Sequence, residues 1–214
     1  MSSRRFSPID NLIMNIDQGV RTVFGKPDIT ERSNPADNVA ENEMSESEKK
    51  QSIGLMRVNH SGEVAAQALY QGQALTARNK ETRIQMQRSA QEEFDHLDWC
   101  EKRVKELGGH TSFLNPLWYA GSLSIGAAAG AIGDKWSLGF VVETEKQVGK
   151  HLEEHLERLP ENDEKSRAVL KQMDIDEAEH AHKAQAAGAA DLPPPVKTLM
   201  KITSKVMTRT AYKI

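Results

Sequence analysis

The sequence holds a single cysteine, Cys100, in 214 residues. No intrachain disulfide can form, which suits a reducing compartment. Aromatic residues make up only 5% of the chain. With Ala, Glu, Gln, Lys, Leu and Met abundant instead, the composition favours helix throughout. The opening MSSRRF resembles the start of an export signal, but no sustained apolar run follows. Asp10, Asn11, Asn15 and Asp17 interrupt it, so the N-terminus reads as cytoplasmic. No nicotinamide- or flavin-binding fingerprint is present. Any electrons must come from a partner, from a reduced nicotinamide without a dedicated domain, or from the substrate. Charge is missing from 108–133. That stretch is long enough to raise the question of a membrane span. Its Gly, Ala and Ser content, with Asn115 and Pro116, fits equally a crossover packed on a bundle or a stretch touching a bilayer.

Helical periodicity organises the rest. Ile9, Leu12, Ile13, Ile16, Val20, Val23 and Phe24 predict an amphipathic helix over 8–24. Residues 25–44 are polar and contain Pro27 and Pro35, which reads as a linker. Four long helices are predicted, over about 45–78, 81–107, 134–159 and 162–187. Ser45 and the acids after it cap the first, and Gly108-Gly109 ends the second. The expected units are 1–44, an N-terminal helix and linker; 45–190, the bundle with 108–133 as crossover; and 191–214, a C-terminal helix.

Each long helix has an inward seam advancing by threes and fours, and each seam is interrupted by one glutamate. These are Glu63, Glu93, Glu145 and Glu177. A buried, unpaired carboxylate is costly, so four of them require a common cause. The second and fourth helices add His96 and His180, three residues beyond Glu93 and Glu177. Residues three apart share a helix face, so each Glu-x-x-His can bind one ion. One Glu from each of two helices and Glu-x-x-His from each of the other two is the di-iron or di-manganese arrangement of ferritin-like bundles. Glu63 precedes Glu93 by 30 residues and Glu145 precedes Glu177 by 32, an internal repeat. Four carboxylates also balance two ferrous ions. The expected fold is therefore all-α, a ferritin-like four-helix bundle with a di-iron carboxylate centre. No catalytic residue beyond the six ligands is expected.

A lone Glu-x-x-His usually marks a solvated face; the coincidence of four seams carries the metal reading. Glu92, Glu143, Glu153, Glu154 and Glu179 fall off the seams and read as solvated. Asp176 and Glu92, each directly before a ligand glutamate, are also candidates to orient the histidine of the opposite helix. His60 and His151 are candidate outer partners or proton relays, His155 a satisfied core histidine, and Cys100 a packing residue. After Pro193-Pro194-Pro195, the cations Lys197, Lys201, Lys205, Arg209 and Lys213 recur every four residues with apolar neighbours and no acid. That predicts a basic amphipathic helix, either on an anionic membrane or docked on the bundle. Pattern alone leaves a hydroxylase, a ferroxidase, a peroxide-scavenging enzyme and a manganese catalase open.

Five stretches narrow the choice: LMRVNHSGEVAAQALYQGQ around Glu63, QEEFDHLDWCEKRVKELGG around Glu93, VVETEKQVGKHLEEHL around Glu145, DEAEHA around Glu177, and the basic end. Together they resemble the demethoxyubiquinone hydroxylase family of ubiquinone biosynthesis, in its bacterial form. The resemblance implies oxygen-dependent hydroxylation of a polyprenylated methoxy-methyl-benzoquinol, with two iron ions and dioxygen. It implies Glu63, Glu93 and His96 on one iron and Glu145, Glu177 and His180 on the other, with some glutamates bridging. It also implies peripheral attachment to the cytoplasmic face of the bacterial inner membrane and contact with other ubiquinone-biosynthesis proteins. No nucleic-acid partner is expected. The competing class is a ferritin-like ferroxidase or iron-handling protein.

Overall fold

Helix boundaries in this chain follow its caps. The structure, a computed structural model, describes residues 7–25 and 32–214. The MSSRRF opening and residues 26–31, including Pro27, lie outside the described residues, as do the side chains of Ile9 and Leu12. The first helix, α1 (Pro8–Phe24), starts at a capping box between Ser7 and Asp10. The next, α2 (Glu46–Thr76), starts at a second box, between Ser45 and Glu48. Such a reciprocal pair satisfies two otherwise orphaned helix N–H groups. Asn79 caps α3 (Lys80–Glu106) through the N–H of Glu81. Gly108, at φ +80°, lets the chain reverse so that Gly109 N–H closes on Val104 O at 2.9 Å. After α4 (Asn115–Ile132) come α5 (Asp134–Arg158) and α6 (Glu164–Ala186), the latter capped by Asp163. The last helix is α7 (Pro194–Ala211), with prolines in its first turn, where no N–H is needed. No strand occurs among the described residues.

The α2–α3 and α5–α6 hairpins form the bundle, and α4 makes the crossover between them. The uncharged stretch is therefore largely a helix packed on α2. Among the described residues, no helix is long and apolar enough to cross a membrane. The two helices touch through glycines: a Cβ on Gly72 would collide with Leu123 O, and one on Gly126 with Leu69 O. This contact changes the expected character of α2. A one-faced seam was predicted, yet 52, 54–61, 63–68 and 70–74 are all buried. In contact with α1, α3, α4, α5 and α7, α2 is the central helix. Its buried glutamines are satisfied in place: Gln67 Nε2 donates to Ala90 O at 3.3 Å and Gln73 Nε2 to Ser137 O at 2.8 Å.

The described part of the polar stretch before α2 is fastened to the bundle. Ala36 is buried in the core cluster with Leu55, Met56 and Trp99. Glu41 takes both guanidinium nitrogens of the buried Arg103, at 2.8 and 3.0 Å. Asn42 Nδ2 donates to Asn162 O at 3.3 Å.

Candidate metal centre

The seam glutamates meet at mid-bundle. Glu63, Glu93, His96 and Glu177 each offer a ligand atom within 4.8 Å of the others, and so do Glu93, Glu145, Glu177 and His180. Glu93 and Glu177 belong to both groups. All six residues are buried. His96 Nδ1 lies 3.1 Å from Glu177 Oε1, 3.3 Å from Glu93 Oε2 and 3.7 Å from Glu63 Oε2. His180 Nδ1 lies 3.2 Å from Glu93 Oε1 and 3.2 Å from Glu177 Oε2. The two halves are related by the α2–α3 and α5–α6 repeat.

Both outward imidazole nitrogens are held across the α3–α6 interface. His96 Nε2 is 2.8 Å from Asp176 Oδ2, and His180 Nε2 is 2.7 Å from Glu92 Oε2. Glu92 is thus an orienting group and not merely a solvated acid. Tyr70 donates its hydroxyl to Glu145 Oε1, and its ring stands edge-on to His180 at 6.3 Å between centroids. The sequence reading missed Tyr70 as a site residue, although it sits two turns beyond Glu63 on the same seam.

Burial sets the electrostatics. It pushes the Glu145 carboxyl well above the usual range, with the charges of Glu177 and Glu93 adding to it. Glu63 is raised by the same burial and by Glu93 and Glu177, against a hydrogen bond from His96. Burial also opposes charge on Glu93, but hydrogen bonds from His180 and His96 outweigh it and hold that carboxyl well down. Both imidazoles are raised despite burial, His96 chiefly by Asp176 and Glu177, and His180 chiefly by Glu177 and Glu92. Asp176, opposed by burial, is drawn down to about 2 by His96 and Arg32. Such mutual compensation is what an ion cluster without its cations must adopt. It is incomplete: Glu145 Oε2 has no hydrogen-bond partner, Glu63 Oε2 comes no closer than 3.7 Å to His96 Nδ1, and Glu93 Oε1 meets His180 Nδ1 at 3.2 Å only as an ion pair, without hydrogen-bond geometry. These under-satisfied carboxylate oxygens, in residues that gather into two four-ligand groups, fit divalent cations, because hard oxygen donors with imidazole suit iron or manganese.

The remaining candidates separate cleanly. Cys100 is buried with its Sγ 3.6 Å from Met173 Sδ, a packing contact. His155 Nδ1 donates to Asn59 Oδ1 at 2.8 Å inside the core. His60 pairs with Asn115 Nδ2 at 3.3 Å and His151 with Ser204 Oγ at 3.0 Å, so neither is seen to hold a ligand residue. Glu143 forms an ion pair with Lys197 at 3.7 Å, while Glu153, Glu154 and Glu179 are exposed.

The fold and the sequence have counterparts in known proteins. In overall fold the chain is similar to a thioferritin, a bacterioferritin-related protein of Bacteroides fragilis, with a TM-score of 0.55 at 18% identity. That match covers 79% of this chain and 91% of the other. In sequence it is 59% identical to the 3-demethoxyubiquinol 3-hydroxylase of Nitrosococcus oceani, over 100% of both chains. It is 54% identical to that of Chromobacterium violaceum, over 96% of this chain and 100% of the other. For that of Polynucleobacter necessarius the identity is 56%, over 97% and 100%. Residues 50–211, which span all six buried ligand candidates, match the family described as ubiquinone biosynthesis protein COQ7, and the chain belongs to that family.

Proposed function

We propose that this protein hydroxylates the ring of demethoxyubiquinol, at a centre of two iron ions held by Glu63, Glu93, His96, Glu145, Glu177 and His180. The observation that carries this reading is the 59% identity to a 3-demethoxyubiquinol 3-hydroxylase along the whole length of both chains. The paired carboxylate–imidazole groups supply a site for the chemistry. Two irons, when bound, supply the reduction of dioxygen and the transfer of one of its atoms to the quinol ring.

The chain's own residues do the holding. Glu93 and Glu177, common to both groups, would be available to either ion; Glu63 and His96 would complete one set, and Glu145 and His180 the other. Asp176 and Glu92 keep each imidazole in the tautomer that presents Nδ1 inward. Tyr70 fixes the Glu145 carboxylate by donating to one oxygen, leaving the orphaned one for metal. An open cleft of about 750 Å³ lies between α1, α2 and α3, lined by Leu75, Ala90 and Phe94 together with the amide of Gln71 and the charged Arg21 and Arg83. That volume accommodates a substituted benzoquinol and the first part of its tail.

A polyprenyl substrate resides in a bilayer, so the enzyme works at the cytoplasmic surface of the inner membrane, among other proteins of the pathway. Exposed Ile13, Ile16, Val20 and Phe24 of α1, and Leu199, Ile202 and Val206 of α7 beside its lysines, support a peripheral attachment. Quinone profiling tests the activity. A strain lacking the gene should accumulate the demethoxy intermediate. Wild type should restore ubiquinone, and Glu145→Ala or Glu177→Ala should not. Normal ubiquinone in the deletion strain would overturn the assignment.

A further inference from the structure

Segment 32–43 runs along the α3–α6 side of the bundle. It is tied at Ala36 in the core, at Glu41 on Arg103, and at Asn42 and Glu43 on Asn162. Its other end delivers Arg32. The Arg32 guanidinium lies over the Trp99 ring at 5.0 Å, and Trp99 in turn leans on His96 at 5.4 Å between ring centroids. Arg32 Nη2 is 2.5 Å from Asp176 Oδ2, the oxygen that accepts from His96 Nε2 at 2.8 Å. Gln172 Nε2 holds the other oxygen at 2.9 Å.

The opposite half is built differently. Glu92 receives Arg88 at 3.2 Å from its own helix, with Arg88 78% exposed, and Lys183 lies 3.9 Å away. An exposed pair of that kind orders little. Arg32 is less exposed, at 37%, stacks on an aromatic face, reaches from a segment outside the bundle and also lies 4.0 Å from Asp95 Oδ2.

We propose that Arg32 is a positioning residue for the His96 half of the centre: it clamps Asp176, and through it the imidazole, so that the two metal sites are inequivalent and one depends on the 32–43 strap. This rests on the metal reading above. It assigns a role to a residue 31 positions before the nearest ligand candidate in the chain.

The test uses the full-length protein. Anaerobic titration with ferrous or cobaltous ion gives the affinity of each site, and ¹⁵N-labelled imidazole signals of the metal-free protein report His96 and His180 separately. Arg32→Ala should weaken one site about tenfold, within the range outer hydrogen-bond partners command. It should move the His96 signal and leave that of His180 in place. Arg32→Lys should recover part of the loss, and Arg88→Ala should change neither signal. Arg32→Ala on top of Asp176→Asn should cost less than the sum of the two single changes, because the arginine acts largely through that carboxylate, with Trp99 carrying the rest. Equal weakening of both sites, additivity with Asp176→Asn, or an unmoved His96 signal would each overturn the proposal. Should wild type bind no metal, the metal reading fails, while the His96 signal still reports whether the clamp exists. If Arg32→Ala does not fold, the same readings on Arg32→Lys and Arg32→Gln decide it.

Discussion

Glu92 of α3 accepts the Nε2 proton of His180 of α6 at 2.7 Å, reaching across the bundle to a histidine 88 residues away. The bond fixes which imidazole nitrogen faces the four glutamates. Glu92→Ala should therefore weaken metal binding at the His180 side by about 10–100-fold while leaving the helices intact. Metal-competition titration beside far-ultraviolet circular dichroism measures both. Unchanged affinity would remove Glu92 from the site.

Metal should stabilise the fold. Glu63, Glu93 and Glu145 each carry a buried carboxylate oxygen that no well-formed hydrogen bond satisfies. A ligand present at a hundred times its Kd adds about 2.7 kcal/mol per site. Iron-loaded protein should melt several degrees above protein treated with chelator. Glu63→Ala should shrink that gap. Coincident melting curves would count against the centre.

Stability should fall in mild acid for a reason separate from the metal ligands. Burial holds His60 and His155 down to about 3, against an ordinary value of 6.5. The unfolded chain binds those protons first. The contribution of these two histidines to stability is then fully present above about pH 6.5 and is lost as the pH falls toward 3. Each pH unit inside that window costs about 1.4 kcal/mol per histidine. Urea unfolding at a series of pH values reads the slope, and His155→Gln should reduce it by one proton. An unaltered slope would show that His155 is not held neutral.

The α2–α4 contact gives a prediction of opposite signs for two glycines on one helix. A Cβ on Gly126 meets the Leu69 backbone, whereas one on Gly121 meets nothing within 4 Å. Gly126→Ala should destabilise by about 1–3 kcal/mol through overpacking. Gly121→Ala should stabilise by about 0.5–1 kcal/mol through helix propensity. Thermal melts of the two variants should move in opposite directions.

What the sequence disclosed and what it hid have physical reasons. The six ligand candidates were legible because a glutamate on an apolar seam is expensive, and that expense repeats on four helices. The helix starts were legible because Ser45 and Glu48 cap locally. The all-round burial of α2 was not, because Ser61, Gln71 and Gln73 lie off the seam that carries Glu63 and Gln67, read as polar, and find their partners only in the folded state. The role of segment 32–43 was hidden for the same reason. Arg32 meets Asp176 across 144 residues of sequence and Glu41 meets Arg103 across 62, separations at which no periodicity signals a contact. Glu92 supported two readings, since being off the seam is compatible with solvent and with the edge of a neighbouring helix.

Membrane attachment offers the last prediction. On α7, Lys201 and Lys205 are exposed beside Leu199, Ile202 and Val206. A cation near an anionic bilayer contributes about 1 kcal/mol, and the apolar neighbours add buried area. Replacing both lysines with Gln should then weaken binding to phosphatidylglycerol-containing vesicles about 30-fold, since 1.4 kcal/mol is a factor of ten. Raising the salt should weaken wild type more than the variant, because fewer charges remain to screen. Co-sedimentation with vesicles at two ionic strengths measures both effects. Catalysis on a short-chain, water-soluble quinol should be unchanged, since neither lysine approaches the metal centre. Equal vesicle binding by wild type and variant would instead assign α7 to the bundle alone and leave α1, with Ile13, Ile16 and Phe24 exposed, as the membrane contact.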